Sequence, residues 1–148
     1  MAADPGIPTE RVSSALAPAP RRQPVYLVCS PRSRVGRTLI ARMLMEYVIA
    51  DGRRVLGFDV NPEDRALARH LPLHAFPASI AESRGQVALF DRLILNDGSV
   101  KVVDLAAELF HPFFEVMYQI GFTPEARART IDTIVLFVVS DDRKSEQA

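Results

Sequence analysis

Residues capable of binding phosphate are concentrated in one short loop, Ser-Pro-Arg-Ser-Arg-Val-Gly-Arg-Thr, at positions 30–38. Arginine side chains donate charge-assisted hydrogen bonds to phosphate, often two at a time. Thr38 stands where an apolar helical pattern begins, and the first N–H groups of a helix form a good anion site. The loop therefore predicts a phosphate site in which arginine side chains and the backbone N–H groups of 34–38 bind oxygens.

Two acidic residues follow apolar strands elsewhere in the chain. Asp59 ends the run that begins at Val55, and Asp104 ends the run that begins at Val100. In a parallel sheet, ligands bind beyond the carboxyl ends of the strands. The loop, Asp59 and Asp104 are therefore expected to meet at one sheet edge. The alternative role of either acid is to cap the helix after its strand.

The elements that must position these residues alternate between strand and helix. Unbroken apolar runs predict strands that are buried on both faces, whereas apolar residues three and four apart predict helices. This alternation predicts an α/β fold with a mainly parallel sheet and helices on both faces. The predicted elements are a strand at 25–29, a helix from 39 to 50, a strand at 55–58, a short helix at 62–70, a loop at 71–77, a helix at 79–95, a strand at 100–103, a helix at 107–120, a short helix from 123 and a strand at 131–139.

The predicted helix at 107–120 is apolar on more than one face, with three phenylalanines among its residues. A helix that is apolar nearly all round is usually buried. Burial beneath the domain's own loops is the expectation, and a surface for a partner protein is the alternative.

The loop resembles the deviant Walker A loop of the ParA/MinD partitioning and cell-division ATPases, which reads Lys-Gly-Gly-x-Gly-Lys-Thr. On this template Arg32 takes the place of the signature lysine, and Arg37 takes the place of the lysine that grips phosphate. Gly36 and Thr38 match the family pattern. Ser33 and the arginine after it replace two of its glycines.

Two later segments extend the resemblance over roughly residues 24–140. Asp59-Val60-Asn61-Pro62 resembles the family's Asp-x-Asp-Pro, with one acid changed to an amide. Val102-Val103-Asp104 resembles its Walker B strand. The family continues into further strands and a loop that holds the adenine base, which have no counterpart in these 148 residues.

The resemblance implies a P-loop NTPase, Rossmann-like three-layer architecture and a regulatory or partitioning-type switch. It implies binding of a nucleoside di- or triphosphate such as ATP with Mg²⁺, and a homodimer around the nucleotide. On the same resemblance, the catalytic candidates are Asp59 and Arg32, and Arg37 would contact the terminal phosphates. The metal ligands would be Thr38, through its hydroxyl, and Asp104, through water. The residues expected to bind nucleotide are Arg32, Ser33, Arg34, Val35, Gly36, Arg37, Thr38 and Leu39.

Two substitutions predict little or no hydrolysis. At position 37 the chain has arginine, with a wide planar guanidinium group, where the family has lysine, with a compact ammonium group. Phosphoryl transfer depends on close positioning of such charged groups. Asn61 stands where the family has an acid that positions water, and an amide is a poor base. The chain is thus predicted to be a pseudo-NTPase or at best a weak NTPase.

Two other functions are compatible with the sequence. Ser-Pro-Arg-Ser at 30–33 is similar to the 5′-phosphosulfate loop of sulfotransferases, which reads Pro-Arg-Ser-Gly-Thr, so a phosphosulfate nucleotide is the first alternative. The second is a non-enzymatic interaction domain that kept the fold and lost its ligand, with a protein partner.

Composition predicts one α/β domain at residues 24–140, preceded by a disordered Pro/Ala-rich tail at 1–23 and followed by a polar tail at 141–148. Eighteen basic and eighteen acidic residues give zero net charge, so no global field indicates a nucleic-acid partner. Cys29 is the only cysteine, which predicts a reducing, cytoplasmic setting without disulfides. No apolar run is long enough to span a membrane.

Overall fold

Five parallel strands form a single sheet in the computed structural model, which describes residues 22–140. The spatial order of the strands is β3-β2-β4-β1-β5. The predicted α/β fold with a parallel sheet is confirmed. The strands are β1 (Gln23–Cys29), β2 (Val55–Val60), β3 (Ala75–Pro77), β4 (Val100–Leu105) and β5 (Ile131–Phe137).

Helices cover both faces of this sheet, which gives the three-layer, Rossmann-like arrangement. The helices are α1 (Arg37–Ala50), α2 (Ala66–His70), α3 (Ser83–Leu93), α4 (Phe110–Gln119) and α5 (Phe122–Ala128), with a 3-10 turn at Ala107–Leu109. Helices α1 and α2 pack on one face, and α3, α4 and α5 pack on the other. The division follows from right-handed crossovers, because the chain moves one way along the sheet from β1 to β3 and the other way from β3 to β5.

Strand β4 shows why the apolar runs have no polar alternation. All six of its residues are buried. Val103 and Leu105 join the cluster under α3, α4 and α5, whereas Val102 joins the cluster under α1. A strand in the middle of a three-layer fold needs apolar side chains on both faces. Cys29 in β1 is buried in the same way, and burial raises the pKa of its thiol to about 11.

Two local predictions are wrong. The predicted loop at 71–77 contains the edge strand β3, whose three residues, Pro77 among them, give no strand signal of their own. Helix α2 begins at Ala66 rather than at residue 62. The side-chain oxygen of Asn61 accepts hydrogen bonds from the N–H groups of Glu63 and Asp64, and this turn competes with helix formation.

Helix α4 is not buried all round, which corrects the prediction for residues 107–120. Phe113 and Met117, four residues apart, are its buried side chains, while Tyr118 is 87% exposed. The helix lies on one face of the sheet and therefore needs only one apolar stripe.

The two predicted tails lie almost entirely outside the described residues. Strand β1 begins at Gln23, one residue before the predicted domain boundary. Within residues 22–140, no helix combines the length and the apolar character that a membrane span requires.

Candidate functional site

The loop at 30–36 lies where two neighbouring strands send their chains to opposite faces of the sheet. Strands β1 and β4 are hydrogen-bonded neighbours. The chain leaving β1 enters α1 on one face, whereas the chain leaving β4 enters α4 on the other. A crevice opens at such a switch point, and ligands of open α/β sheets bind there.

The loop backbone reaches α1 through two left-handed residues. Arg34 has φ of 59° and Gly36 has φ of 88°. Gly36 precedes the first helical residue, and no side chain in the described part of the chain caps this end of α1. The first N–H groups of the helix therefore have no side-chain acceptor, and an anion could take that place.

Thr38 and Asp104 meet in this crevice, as the sequence predicts. The Thr38 hydroxyl donates a hydrogen bond of 2.6 Å to Oδ2 of Asp104. Asp104 is 3% exposed, and burial raises the pKa of its carboxyl group. The hydrogen bond from Thr38 and the positive charge of Arg37 oppose this rise, while the neighbouring Asp59 adds to it.

Asp59 lies directly beside Asp104 in the sheet, because the two residues are register partners on β2 and β4. Its Oδ2 accepts a 3.0 Å hydrogen bond from the Ala68 N–H group of α2, whereas its buried Oδ1 has no partner within residues 22–140. Burial raises the pKa of Asp59, and the Ala68 N–H opposes the rise. Asp59 thus sits beneath α2 and does not line the cavity at the loop.

The Arg37 side chain is held by a hydrogen bond to β4. Its Nη1 donates a hydrogen bond to the carbonyl oxygen of Leu105, at the end of β4. Its Nε is buried, and among the residues that the structure describes it has no hydrogen-bond partner. The guanidinium group therefore lies between the start of α1 and the end of β4, close to Asp104.

A cavity of about 480 Å³ lies in front of the loop. Its wall combines backbone and side chains of the loop with polar residues that follow β2 and β4. The lining residues are Ser33, Arg34, Val35, Gly36, Arg37, Thr38, Asn61, Glu63, Asp64 and Glu108.

Besides Asp59 and the buried Asp104, two members of the predicted binding set do not line this cavity. Leu39 is 57% exposed on the outer side of α1. The backbone N–H of Arg32 donates to the Ser30 hydroxyl, at 3.2 Å, in the first part of the loop.

Three acids at the cavity were missed by the sequence analysis. Glu63 and Asp64 follow β2, and Glu108 follows β4. The rule that identified Asp59 and Asp104 could have found them, since they also lie beyond the carboxyl ends of strands. Asp64 forms an ion pair of 2.7 Å with Arg69, which partly offsets its charge.

The residues present suit a magnesium ion only if a ligand completes its shell. Thr38 and Asp104 supply the hydroxyl and carboxylate oxygens that Mg²⁺ prefers. In the described part of the chain, no group of three or more His, Cys, Asp or Glu side chains could hold a metal. Mg²⁺ commonly takes one or two protein oxygens and completes its shell with water and phosphate.

A second cavity, of about 450 Å³, lies between α3 and the strands β2 and β3. Apolar side chains such as Leu56, Phe58 and Leu89 form most of its wall, and Arg92 is its one ionisable residue. It shares no residue with the cluster around Thr38 and Asp104. The chemistry of the site therefore belongs to the cavity at the loop.

No protein-family model matches the chain, and comparison with curated proteins found no relative. The case for a function consequently depends on the geometry of the crevice between β1 and β4.

Proposed function

We propose that the chain binds the phosphate groups of a nucleoside di- or triphosphate, together with Mg²⁺, in the cavity in front of the loop at 30–38. In this proposal the domain is a degenerate P-loop domain of the ParA/MinD type, and it hydrolyses its ligand slowly or not at all. Its role would then be that of a regulatory switch whose state depends on ligand binding.

The observation that carries the proposal is the contact between Thr38 and Asp104. A hydroxyl at the first turn of a helix and a buried carboxylate at the end of the adjacent strand lie 2.6 Å apart. Thr38 lies in the first turn of α1, whose N–H groups have no side-chain cap among the described residues. Thr38 lines the cavity and the buried Asp104 is bonded to it from behind, so oxygens that suit a cation lie next to donors that suit phosphate.

Charge in the cavity favours a ligand that arrives with a cation. Arg34 and Arg37 are opposed by Glu63, Asp64 and Glu108. A bare polyphosphate would meet these acids as like charges, whereas a phosphate that carries Mg²⁺ brings positive charge to them. Binding is therefore expected to require the divalent ion.

Weak turnover follows from the positions of two side chains. The Asn61 side-chain oxygen is occupied by the N–H groups of its own turn, so it is not directed at a water molecule. Arg37 is bound to the Leu105 carbonyl and would have to leave it to reach a phosphate. Phosphoryl transfer tolerates little displacement of such groups.

The test is a thermal-shift measurement on the full chain with Mg·ATP, Mg·GTP, Mg·ADP and phosphoadenosine phosphosulfate, with and without EDTA. A ligand at 100 times its Kd stabilises the folded state by about 2.7 kcal/mol. We expect a Mg²⁺-dependent rise in Tm with a nucleotide. Thr38→Val should remove the rise because it keeps the size of the side chain without the hydroxyl, whereas Thr38→Ser should preserve it.

Arg37→Ala provides a second test, with Arg84→Ala as its control. Arg84 is exposed at the start of α3 and lies outside the loop cavity. A shift that Arg37→Ala abolishes and Arg84→Ala retains supports the proposal. A shift with the phosphosulfate nucleotide alone would assign the loop to that ligand. The absence of any shift with a folded protein would favour an interaction domain.

A further inference from the structure

Strand β5 forms one edge of the sheet, and two of its apolar side chains are partly exposed. Val135 is 48% exposed and Phe137 is 37% exposed. Asp132 is the one charged residue of the strand, and it forms an ion pair of 2.7 Å with Arg22. A long apolar edge strand is a ready template for another strand.

The hydrogen bonds at the two ends of β5 show which backbone groups face outward. The Gln23 N–H donates to the Thr130 carbonyl, and the Val138 N–H donates to the Cys29 carbonyl. Because bonding alternates along a parallel ladder, the even-numbered residues of β5 bond to β1. The odd-numbered residues direct their N–H and C=O groups away from the sheet. Among the described residues, none bonds to these groups of Thr133, Val135 or Phe137.

The opposite edge of the sheet cannot accept a strand in the same way. In β3, Phe76 bonds towards β2, so Ala75 and Pro77 form the outer side. The Ala75 N–H donates to the Leu71 carbonyl, at 2.8 Å, and Pro77 has no N–H group. The outer side of β3 therefore offers no free donor, which is a common protection of edge strands.

This asymmetry restricts how copies of the chain can associate. A head-to-tail contact, β5 of one copy against β3 of the next, would produce an open filament. The missing donors of β3 prevent that contact. A contact between two β5 edges is self-complementary under a two-fold axis and closes after two copies.

We propose that two copies of this chain associate through antiparallel pairing of their β5 strands, which joins the two sheets into one of ten strands. With the axis at Ile134, Thr133 of each copy faces Val135 of the other, and Ile131 faces Phe137. Both members of each pair are odd-numbered, so their outward N–H and C=O groups exchange hydrogen bonds.

The side chains at this contact suit the arrangement. Asp132 lies opposite Leu136 of the second copy, so no like charges face each other. Val135 and Phe137, which are partly exposed in one chain, lose exposed apolar area against the second copy. The contact is independent of the loop at 30–38, so it differs from a dimer formed around a nucleotide.

Sedimentation of the full chain over a hundred-fold range of concentration tests the proposal. We expect a species with twice the mass of one chain. Val135→Pro should convert it to a monomer without unfolding it, because the lost N–H faces outward and bonds to nothing in the domain. Val135→Ala keeps that N–H and should remain dimeric. Val135→Lys keeps the backbone N–H but places a charge at the contact, so it should also be a monomer. This variant replaces the test if the proline variant does not fold.

The Ile134→Cys variant tests the register. Residues facing each other at a non-hydrogen-bonded position have Cα atoms about 4.5 Å apart, within reach of a disulfide. Oxidation should therefore cross-link Ile134→Cys but not Leu136→Cys, whose two copies lie far apart along the strands. A wild-type chain that stays monomeric throughout, or a Val135→Pro chain that stays dimeric, would overturn the proposal. Cross-linking of Leu136→Cys alone would overturn the register.

Discussion

The Thr38 hydroxyl and the Asp104 carboxylate form a 2.6 Å hydrogen bond between residues that are 66 positions apart in sequence. The bond exists because β1 and β4 are neighbours, which places the first turn of α1 over the end of β4. Burial raises the pKa of Asp104, so a charge at this position reduces stability. A buried carboxylate that is unfavourable for folding and is bonded to a residue of the cavity wall, Thr38, is typical of a site kept for binding.

The Asp104→Asn variant separates stability from binding. We expect its free energy of unfolding at neutral pH to rise by roughly 1 kcal/mol, because the amide avoids the cost of burying a charge. Its oxygen can still accept the hydrogen bond from Thr38. The Mg²⁺-dependent stabilisation by nucleotide should be lost. Urea unfolding with and without Mg·nucleotide measures both effects.

The control for this variant is Asp132→Asn, because Asp132 forms an ion pair on the surface rather than in the crevice. Surface pairs contribute little, so both stability and ligand response should remain close to those of the wild type. If Asp104→Asn were clearly less stable than the wild type without ligand, the carboxylate would have a structural role instead.

Most of the framework could be predicted from the sequence because its main strands are strongly apolar. The runs that end at Cys29, Asp59 and Asp104 predicted the three central strands, and the rule for parallel sheets then predicted that Asp104 lies beside the loop, where Thr38 bonds to it. Three-residue β3 has no such signal, since three residues carry no periodicity. The contact of Arg37 with the Leu105 carbonyl depends on the spacing of α1 over β4, which sequence spacing does not determine.

Two glycines provide a matched test of the loop backbone. Gly36 and Gly98 have φ of 88° and 76°, and a Cβ at either position would meet no atom within 4 Å. Alanine at either position should therefore cost about 1–2 kcal/mol of stability through backbone strain alone. Gly36→Ala should also weaken the nucleotide-dependent shift in Tm, because relief of the strain at residue 36 would displace the N–H groups at the start of α1. Gly98→Ala should retain that shift, and an equal loss in both variants would contradict a role of the loop in binding.

Lys101 is fully buried on β4, away from the candidate site. Its ammonium group donates to the Leu95 carbonyl and lies 3.7 Å from the Asp97 carboxylate. Burial lowers the pKa of Lys101, and Asp97 opposes this only in part. Between the lowered pKa and the ordinary value of 10.5, the unfolded chain binds a proton that the folded chain does not. The free energy of unfolding attributable to this group should therefore rise with pH through that window and become constant above it.

Lys101→Met should remove this pH dependence and leave the protein at least as stable at neutral pH. Methionine fills a similar volume without a charge, and the Leu95 carbonyl still accepts a 3.0 Å hydrogen bond from Gln23. Asp97→Asn should have the opposite effect on the titration, because without its carboxylate the pKa of Lys101 falls further and the rise begins at lower pH. Urea unfolding between about pH 7 and pH 10 distinguishes the variants. If Lys101→Met were strongly destabilised across this range, the ammonium group would be a net stabiliser of the 94–99 turn. The free energy gained from its contacts with Leu95 and Asp97 would then exceed the free-energy cost of burying it.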